Sequence, residues 1–332
     1  MQTPAVQYAA QAYSSPPLVI VVQGPTASGK TELAHALAER FPIEIISADS
    51  RQVWQGLDIG TAKPTMEERS RYRYHGLDLC PPDTQLSAGQ FARQAWEWIE
   101  QIASRGAIPL IVGGSGLYVR AITEGLFDEP AAVDPHVRAR LIERLAIEGR
   151  EALFKELSQI DPQSAARIPD RNPRRILRAL EFYYTHGLPL SQAQQQFRRM
   201  PPPMRIIHLT LLPERSLLYR RINQRTYQMW HSGLLEETQR ILQAGFDRTI
   251  PAFTAIGYAE ALAVLDGRMD QATAIELCAK RSRHYAKRQY TWLRHSATLG
   301  IAFHCFGGDA TIRAHDIIAH SVQYGYEYSG DK

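Results

Sequence analysis

Cysteine is scarce in this chain. Three of 332 residues are cysteine, at 80, 278 and 305, far apart and with no C-x-x-C pair. That excludes a disulfide framework and a zinc finger of the usual spacing. No stretch approaches the roughly 18 apolar residues that a membrane helix needs. The opening QTPAVQYAAQAYSSPP has neither a basic start nor an apolar run, so it reads as a loose tail and not as a signal peptide. Excess charge is small too: the net charge is +4 and the pI is near 8.9. Such a balance names no partner until the placement of the charge is known. A protein of the cytoplasm is expected, with no membrane partner.

With 44% hydrophobic residues the chain can bury one large core or two ordinary ones. LVIVV (18–22), IEIIS (43–47) and IPLIVG (108–113) read as buried parallel strands separated by helical stretches, and RIIHLTLL (205–212) follows much later. This is the pattern of an α/β sheet covered on both faces. Between the third and fourth runs the chain reads as helices only, opened by Asp134-Pro135 and again by Asn172-Pro173, and stopped at Gly149 and Gly187. The expected division is a tail (1–17), a core in two parts (18–130 and 201–306), a helical insertion (131–200) and a C-terminal extension (307–332).

Gly24, Pro25, Thr26, Ala27, Ser28, Gly29, Lys30 and Thr31 spell GPTASGKT between the first strand and a helix. In that context G-x-x-x-x-G-K-[ST] is a phosphate-binding loop. Its amides and the helix N-terminus would cradle phosphate oxygens, Lys30 would neutralise them, and Thr31 would reach a magnesium ion. The third strand ends in VGGSG, without the aspartate that an ATPase of this class places there. Asp49, after the second strand, is the one acidic candidate at that edge of the sheet. It reads either as a base for an acceptor group or as a turn cap.

Two basic clusters stand out. AKRSRHYAKRQYTWLRH (279–295) has six Lys or Arg and no acid. Arg281, Tyr285, Arg288 and Trp292 share one helical stripe, and Lys280, Arg283, Lys287 and Arg294 share another. Cations interleaved with aromatics suit a nucleic acid backbone and unstacked bases; the bland alternative is a solvated helix face. ARIPDRNPRRILRALE (166–181) carries Arg167, Arg171, Arg174, Arg175 and Arg178. It suits either a grip on an elongated partner or pairing with the insertion's own Asp161, Asp170 and Glu181.

Together with GPTASGKT, the segments ADSRQVW (48–54), DIGTAKP (58–64), VGGSGLYV (112–119), DPQSAARI (161–168), GLLEET (233–238), AIGYAE (255–260) and YAKRQYTWLR (285–294) resemble the tRNA dimethylallyltransferase family. The resemblance implies a P-loop kinase-like α/β core with a helical insertion that grips the anticodon stem. It also implies a loop that holds dimethylallyl diphosphate rather than a nucleoside triphosphate, a magnesium requirement, and transfer to the exocyclic amine of the adenosine at tRNA position 37. By the same resemblance Asp49 is the general base, Arg225 stabilises the departing pyrophosphate, and Lys30 and Thr26 act with them. Contacts to the tRNA anticodon stem-loop are implied for Asp49, Ser50, Arg51, Gln52, Ser115, Arg138, Arg174, Arg175, Arg178, Lys287, Arg288, Gln289, Trp292 and Arg294. Ser282 and His284 stand where the family commonly has threonine and glutamine. A monomer is expected. The rival reading is a small-molecule kinase with ATP in the loop.

Overall fold

The structure, a computed structural model, describes residues 16–127, 134–294, 301–303, 311 and 313–319. The expected N-terminal tail, most of the C-terminal extension, Cys305 and His295 lie outside these residues. The chain divides into two units, Met1–Thr123 with Pro201–Lys332, and Glu124–Met200.

In the first unit the run LVIVVQ forms β1 (Leu18–Gln23), with Val19 to Val22 fully buried. A strand covered on both faces has no polar side to alternate with, which is why the run reads as continuously apolar. A helix, α1 (Lys30–Ala38), follows, then β2 (Ile43–Ser47), α2 (Met66–Arg71), β3 (Tyr74–His75), α3 (Ala88–Ser104), β4 (Ile108–Gly113) and α4 (Gly116–Glu124).

The second unit holds β5 (Leu126–Phe127), α5 (Pro135–Ile160), α6 (Pro162–Ala166), α7 (Pro173–His186), α8 (Leu190–Gln196) and β6 (Arg198–Arg199). The chain then returns to the first unit as β7 (Arg205–Leu211), α9 (Arg215–His231), α10 (Leu234–Gln243), α11 (Tyr258–Leu265), α12 (Gln271–Arg294) and β8 (Ile301–Phe303). The described strands of the first unit form one six-stranded sheet in the order β3-β2-β4-β1-β7-β8. Every pairing in it is parallel.

The four strands expected from apolar runs are all present in the sheet. Two more, β3 and β8, join it, and they are too short to carry an apolar signature. The second unit runs from Glu124 to Met200, and within it Leu126 and Phe127 pair antiparallel with Arg199 and Arg198. Within the range of the expected C-terminal extension, Ala314 and Ile318 are fully buried in the same cluster as Ile20, Leu209 and Phe303.

The insertion has its own core, built from Leu141, Leu153 and Leu157 on α5 and Ile176, Leu180 and Phe182 on α7. Asp134 caps α5 by accepting from the His136 amide at 2.8 Å, and Asn172 caps α7 by accepting from the Arg174 amide at 3.1 Å. At Gly149 the backbone leaves helical geometry (φ 79°), so α5 is two helices joined by a kink. Asp161, buried at 2% exposure, accepts from the amide and hydroxyl of Ser164 and from those of Ser191. One carboxylate thereby ties the start of α6 to α8, which explains the DPQSAARI segment as structure.

A second buried carboxylate organises the first unit. Glu237 on α10 accepts from the backbone amides of Asp58, Ile59 and Gly60, and the Tyr258 hydroxyl donates to it. Beside it Lys63, with its side chain fully buried, donates to the Trp54 carbonyl and to Asp58 and Asp78. Three segments far apart in sequence, DIGTAKP, GLLEET and AIGYAE, therefore meet at one node. Gly60 has no room for a side chain there, since a Cβ would lie 2.3 Å from the Tyr258 ring. Gly60→Ala should lower stability by about 1–3 kcal/mol, the usual cost of overpacking. A urea unfolding curve checks this, and an unshifted midpoint would mean that the loop yields freely.

Candidate active site

Parallel strands present their carboxyl ends on one edge of a sheet, where ligands of such folds bind. The loop Gly24–Thr31 leaves β1 there, Asp49–Gln52 leaves β2 and the turn at 113–116 leaves β4. One pocket gathers residues from all three: Thr26, Lys30 and Thr31 from the loop, Asp49 and Gln52 from the second turn, Gly113 and Gly114 from the third. Arg225 from α9 and Tyr285 and Gln289 from α12 complete it, with Thr61, Ala62 and Pro64. Those last three, with Ser47 and Tyr74, are not among the expected site residues. DIGTAKP is a recognisable segment whose residues carry no obvious chemistry, and Tyr74 sits in no motif.

The loop has the geometry of an anion cradle. A Cβ on Gly24 would come within 2.5 Å of Ser28 Oγ and 2.8 Å of the Leu211 carbonyl, so this position must be glycine. Ala27 takes a left-handed φ of 63°, a conformation that costs energy in a non-glycine residue and that clusters at ligand-binding turns. The Lys30 ammonium donates to the Pro25 carbonyl at 2.8 Å. The Arg225 guanidinium donates to Thr26 Oγ1, although 199 residues separate the two. Cations from α1 and α9 thus stand over the same loop.

Electrostatics bind Asp49 to that pair. Burial, helped by the neighbouring Arg225 charge, lowers the Lys30 pKa to about 8 against the pull of the Asp49 carboxylate. Burial also pulls Arg225 below the usual guanidinium range, again opposed by Asp49. A half-buried pair of cations with one carboxylate is a site short of negative charge, suited to an anionic ligand. Tyr285, pushed up to about 12 by burial and then by the Asp49 charge, is a neutral phenol at physiological pH.

The Asp49 turn is held from two sides. Asp49 Oδ1 accepts from the Arg51 amide at 2.9 Å, so the capping role is real, and the other carboxylate oxygen is left for other work. Ser115 Oγ accepts from the Ser50 amide at 3.0 Å and donates to Ser50 Oγ at 3.2 Å. Gln52 accepts from Ser47 Oγ at 2.7 Å and donates to the carbonyls of Thr61 and Ala62. Its amide is committed to the fold and braces the pocket wall.

The basic clusters divide. On α12 Lys287, Arg288, Trp292 and Arg294 are exposed, and Arg288 lies over the Tyr285 ring at 5.8 Å. Arg281 is spent on the buried Glu260, and Arg283 donates to Asn223. Ser282 is buried and His284 is exposed, so the first departure from the family pattern is a packing change. Gln289, expected on a nucleic acid, is 8% exposed. It packs between the loop and the turn after β4, because the spacing that puts Lys287 and Arg288 outside turns Ala286 and Gln289 inward. In the insertion Arg138 pairs with Glu181 at 3.1 Å and Arg178 approaches the same carboxylate at 3.8 Å. These two are drawn to the insertion's own acid, while Arg174 and Arg175 are exposed.

A protein-family model described as IPP transferase matches residues 52–296. A tRNA dimethylallyltransferase of Magnetococcus marinus is 46% identical over 275 residues, covering 82% of this chain and 90% of that protein. One from Geobacter metallireducens is 42% identical over 281 residues, covering 85% and 91%. Among solved structures, the tRNA isopentenylpyrophosphate transferase of Bacillus halodurans superposes with a TM-score of 0.66 at 36% identity, covering 92% of this chain and 97% of that one. A eukaryotic dimethylallyltransferase acting on tRNA shares the fold, with a TM-score of 0.76 at 24% identity and coverage of 95% and 81%.

Proposed function

The chain belongs to the IPP transferase family, and from that premise we propose that the Gly24–Thr31 loop holds the diphosphate of dimethylallyl diphosphate. The enzyme modifies tRNA by dimethylallyl transfer. The acceptor in this reading is the exocyclic amine of the adenosine at position 37, beside the anticodon. The observation that carries it is the convergence of Lys30, Arg225 and Asp49 on one pocket.

The adenine amine is a weak nucleophile, because its lone pair is delocalised into the ring. The allylic carbon is a good electrophile, because positive charge spreads over the allyl unit as its bond to oxygen breaks. Help is needed at both ends. Lys30, Arg225 and the loop amides stabilise the charge growing on pyrophosphate. Asp49 takes the proton from the amine as nitrogen bonds to carbon. The base must leave the stack to reach the carbon, and a single-stranded loop makes that inexpensive. The exposed Thr31 hydroxyl, a hard oxygen donor lining the pocket, would help to hold a magnesium ion there. Bound there, magnesium supplies neutralising charge to the diphosphate. The reaction belongs to the cytoplasm, and no described helix is long and apolar enough to cross a membrane.

Incubation with labelled dimethylallyl diphosphate and unmodified tRNA is expected to place label in the RNA. Hydrolysis of ATP stimulated by tRNA, with no label transferred, would favour the kinase reading. The RNA face is tested separately. Lys287→Ala with Arg288→Ala should weaken tRNA binding and flatten its salt dependence, by about one unit of slope for each phosphate that is no longer neutralised. Affinity for dimethylallyl diphosphate should hardly change. An unaltered tRNA affinity and slope would make α12 a merely solvated face.

A further inference from the structure

Gln289 occupies an unusual place for a residue on a basic helix. Its side-chain oxygen accepts from the Thr26 amide at 2.9 Å, and its side-chain nitrogen donates to the Gly114 carbonyl at 2.8 Å. Thr26 belongs to the loop that follows β1 and Gly114 to the turn that follows β4. One amide, 8% exposed, spans the gap between them. The fit is close: a Cβ on Gly114 would lie 2.5 Å from the Gln289 nitrogen.

The two elements so joined belong to opposite halves of the proposed reaction, on whose reading this inference rests. Thr26 also receives the Arg225 guanidinium, and so lies with the donor's diphosphate. Ser115, next to Gly114, holds Ser50 and thus the turn that carries Asp49. We infer that Gln289 is a positioning residue, which sets the separation between the donor loop and the turn that presents the base to the acceptor. Only a group that both accepts and donates can make this bridge, and an amide does so without adding charge beside a diphosphate. Gln289 makes no contact with tRNA in this role. It connects the outer face of α12 to the reacting groups, since the exposed Lys287 and Arg288 lie two residues and one residue before it on the same helix.

Gln289→Met keeps the length and packing of the side chain and removes both hydrogen bonds. Misplacing a reacting group by about 1 Å costs as much as 10²-fold in rate. Single-turnover transfer at saturating tRNA and donor should therefore fall roughly 10- to 100-fold, with tRNA affinity within about twofold of wild type. Gly114→Ala attacks the same bond from the other side with Gln289 intact, and should give the same rate loss. Melting curves of both variants are recorded alongside. A residue that only stabilises the fold would lower the melting temperature and leave the single-turnover rate of the folded fraction unchanged, which would overturn the inference. So would a loss confined to tRNA affinity and removed at saturating tRNA. Absence of transfer by the wild-type protein in the same assay would reject the functional reading itself, whereas normal transfer by both variants would reject only the bridge.

Discussion

Asp49→Asn is expected to slow single-turnover dimethylallyl transfer by roughly 10²–10⁴-fold, the usual loss for a general base. That corresponds to about 3–5 kcal/mol at 1.36 kcal/mol per factor of ten. The substitution is chosen for what it keeps. Asparagine retains an oxygen that can accept from the Arg51 amide, as Asp49 Oδ1 does at 2.9 Å. The turn therefore survives, and only the proton acceptor is lost. Binding of tRNA and donor should fall far less, because the missing interaction belongs to the transition state. Asp49→Ala removes both functions, so it should add a stability loss of about 1 kcal/mol, the value of a cap, to a similar rate loss. The comparison is informative because the cap and the proposed base are one side chain. If Asp49→Asn transfers within a few-fold of wild type while Asp49→Ala is unstable, the residue is a cap and the base lies elsewhere.

The frame of this site is legible in the sequence for a physical reason. Buried parallel strands must be continuously apolar, and a phosphate loop must carry its glycines and its lysine in fixed order, so β1, β2, β4 and the Gly24–Thr31 loop announce themselves. What stays hidden depends on contacts between distant segments. Nothing local in GLLEET says that Glu237 will collect the amides of Asp58, Ile59 and Gly60, or that this fixes the loop bearing Thr61 and Ala62 in the pocket wall. Gln289 misleads in a related way. Its neighbours are cationic and exposed, so sequence proximity groups it with them, whereas helical spacing turns it inward to the loop. Glu181 likewise decides which insertion arginines are available, since Arg138 and Arg178 are drawn to it and Arg174 and Arg175 are not. The spacing of Arg and Glu in sequence permits this choice without making it.

Lys30→Met is expected to act in opposite directions on activity and stability. Removing one preorganised donor to a developing oxyanion costs roughly 10²–10³-fold in rate, and Lys30 is such a donor if pyrophosphate leaves against the loop. The folded protein should nonetheless become more resistant to heat at pH 7. Burial lowers the Lys30 pKa to about 8 from its ordinary 10.5, and that net direction already includes the favourable pull of Asp49. The ammonium is thus less welcome in the folded chain than in the unfolded one. Between those two pKa values the folded protein binds fewer protons than the unfolded, so wild-type stability rises with pH across that window. The penalty is fully present below about pH 8 and is relieved as pH climbs toward 10.5. A methionine of similar length removes it at every pH. The melting temperature of Lys30→Met should therefore exceed that of wild type at pH 7, and the gap should narrow by about pH 9.5, well inside that window. Other groups also titrate there, but they are common to both proteins and cancel in the difference. Dimethylallyl diphosphate should reverse the order at pH 7, because its charge gives the ammonium a partner that the variant cannot use and ligand binding stabilises the folded state. A Lys30→Met protein that melts below wild type at pH 7, with a gap indifferent to pH, would show that Lys30 serves the fold through its bond to Pro25. The site would then owe its anion affinity to Arg225 and the loop amides alone.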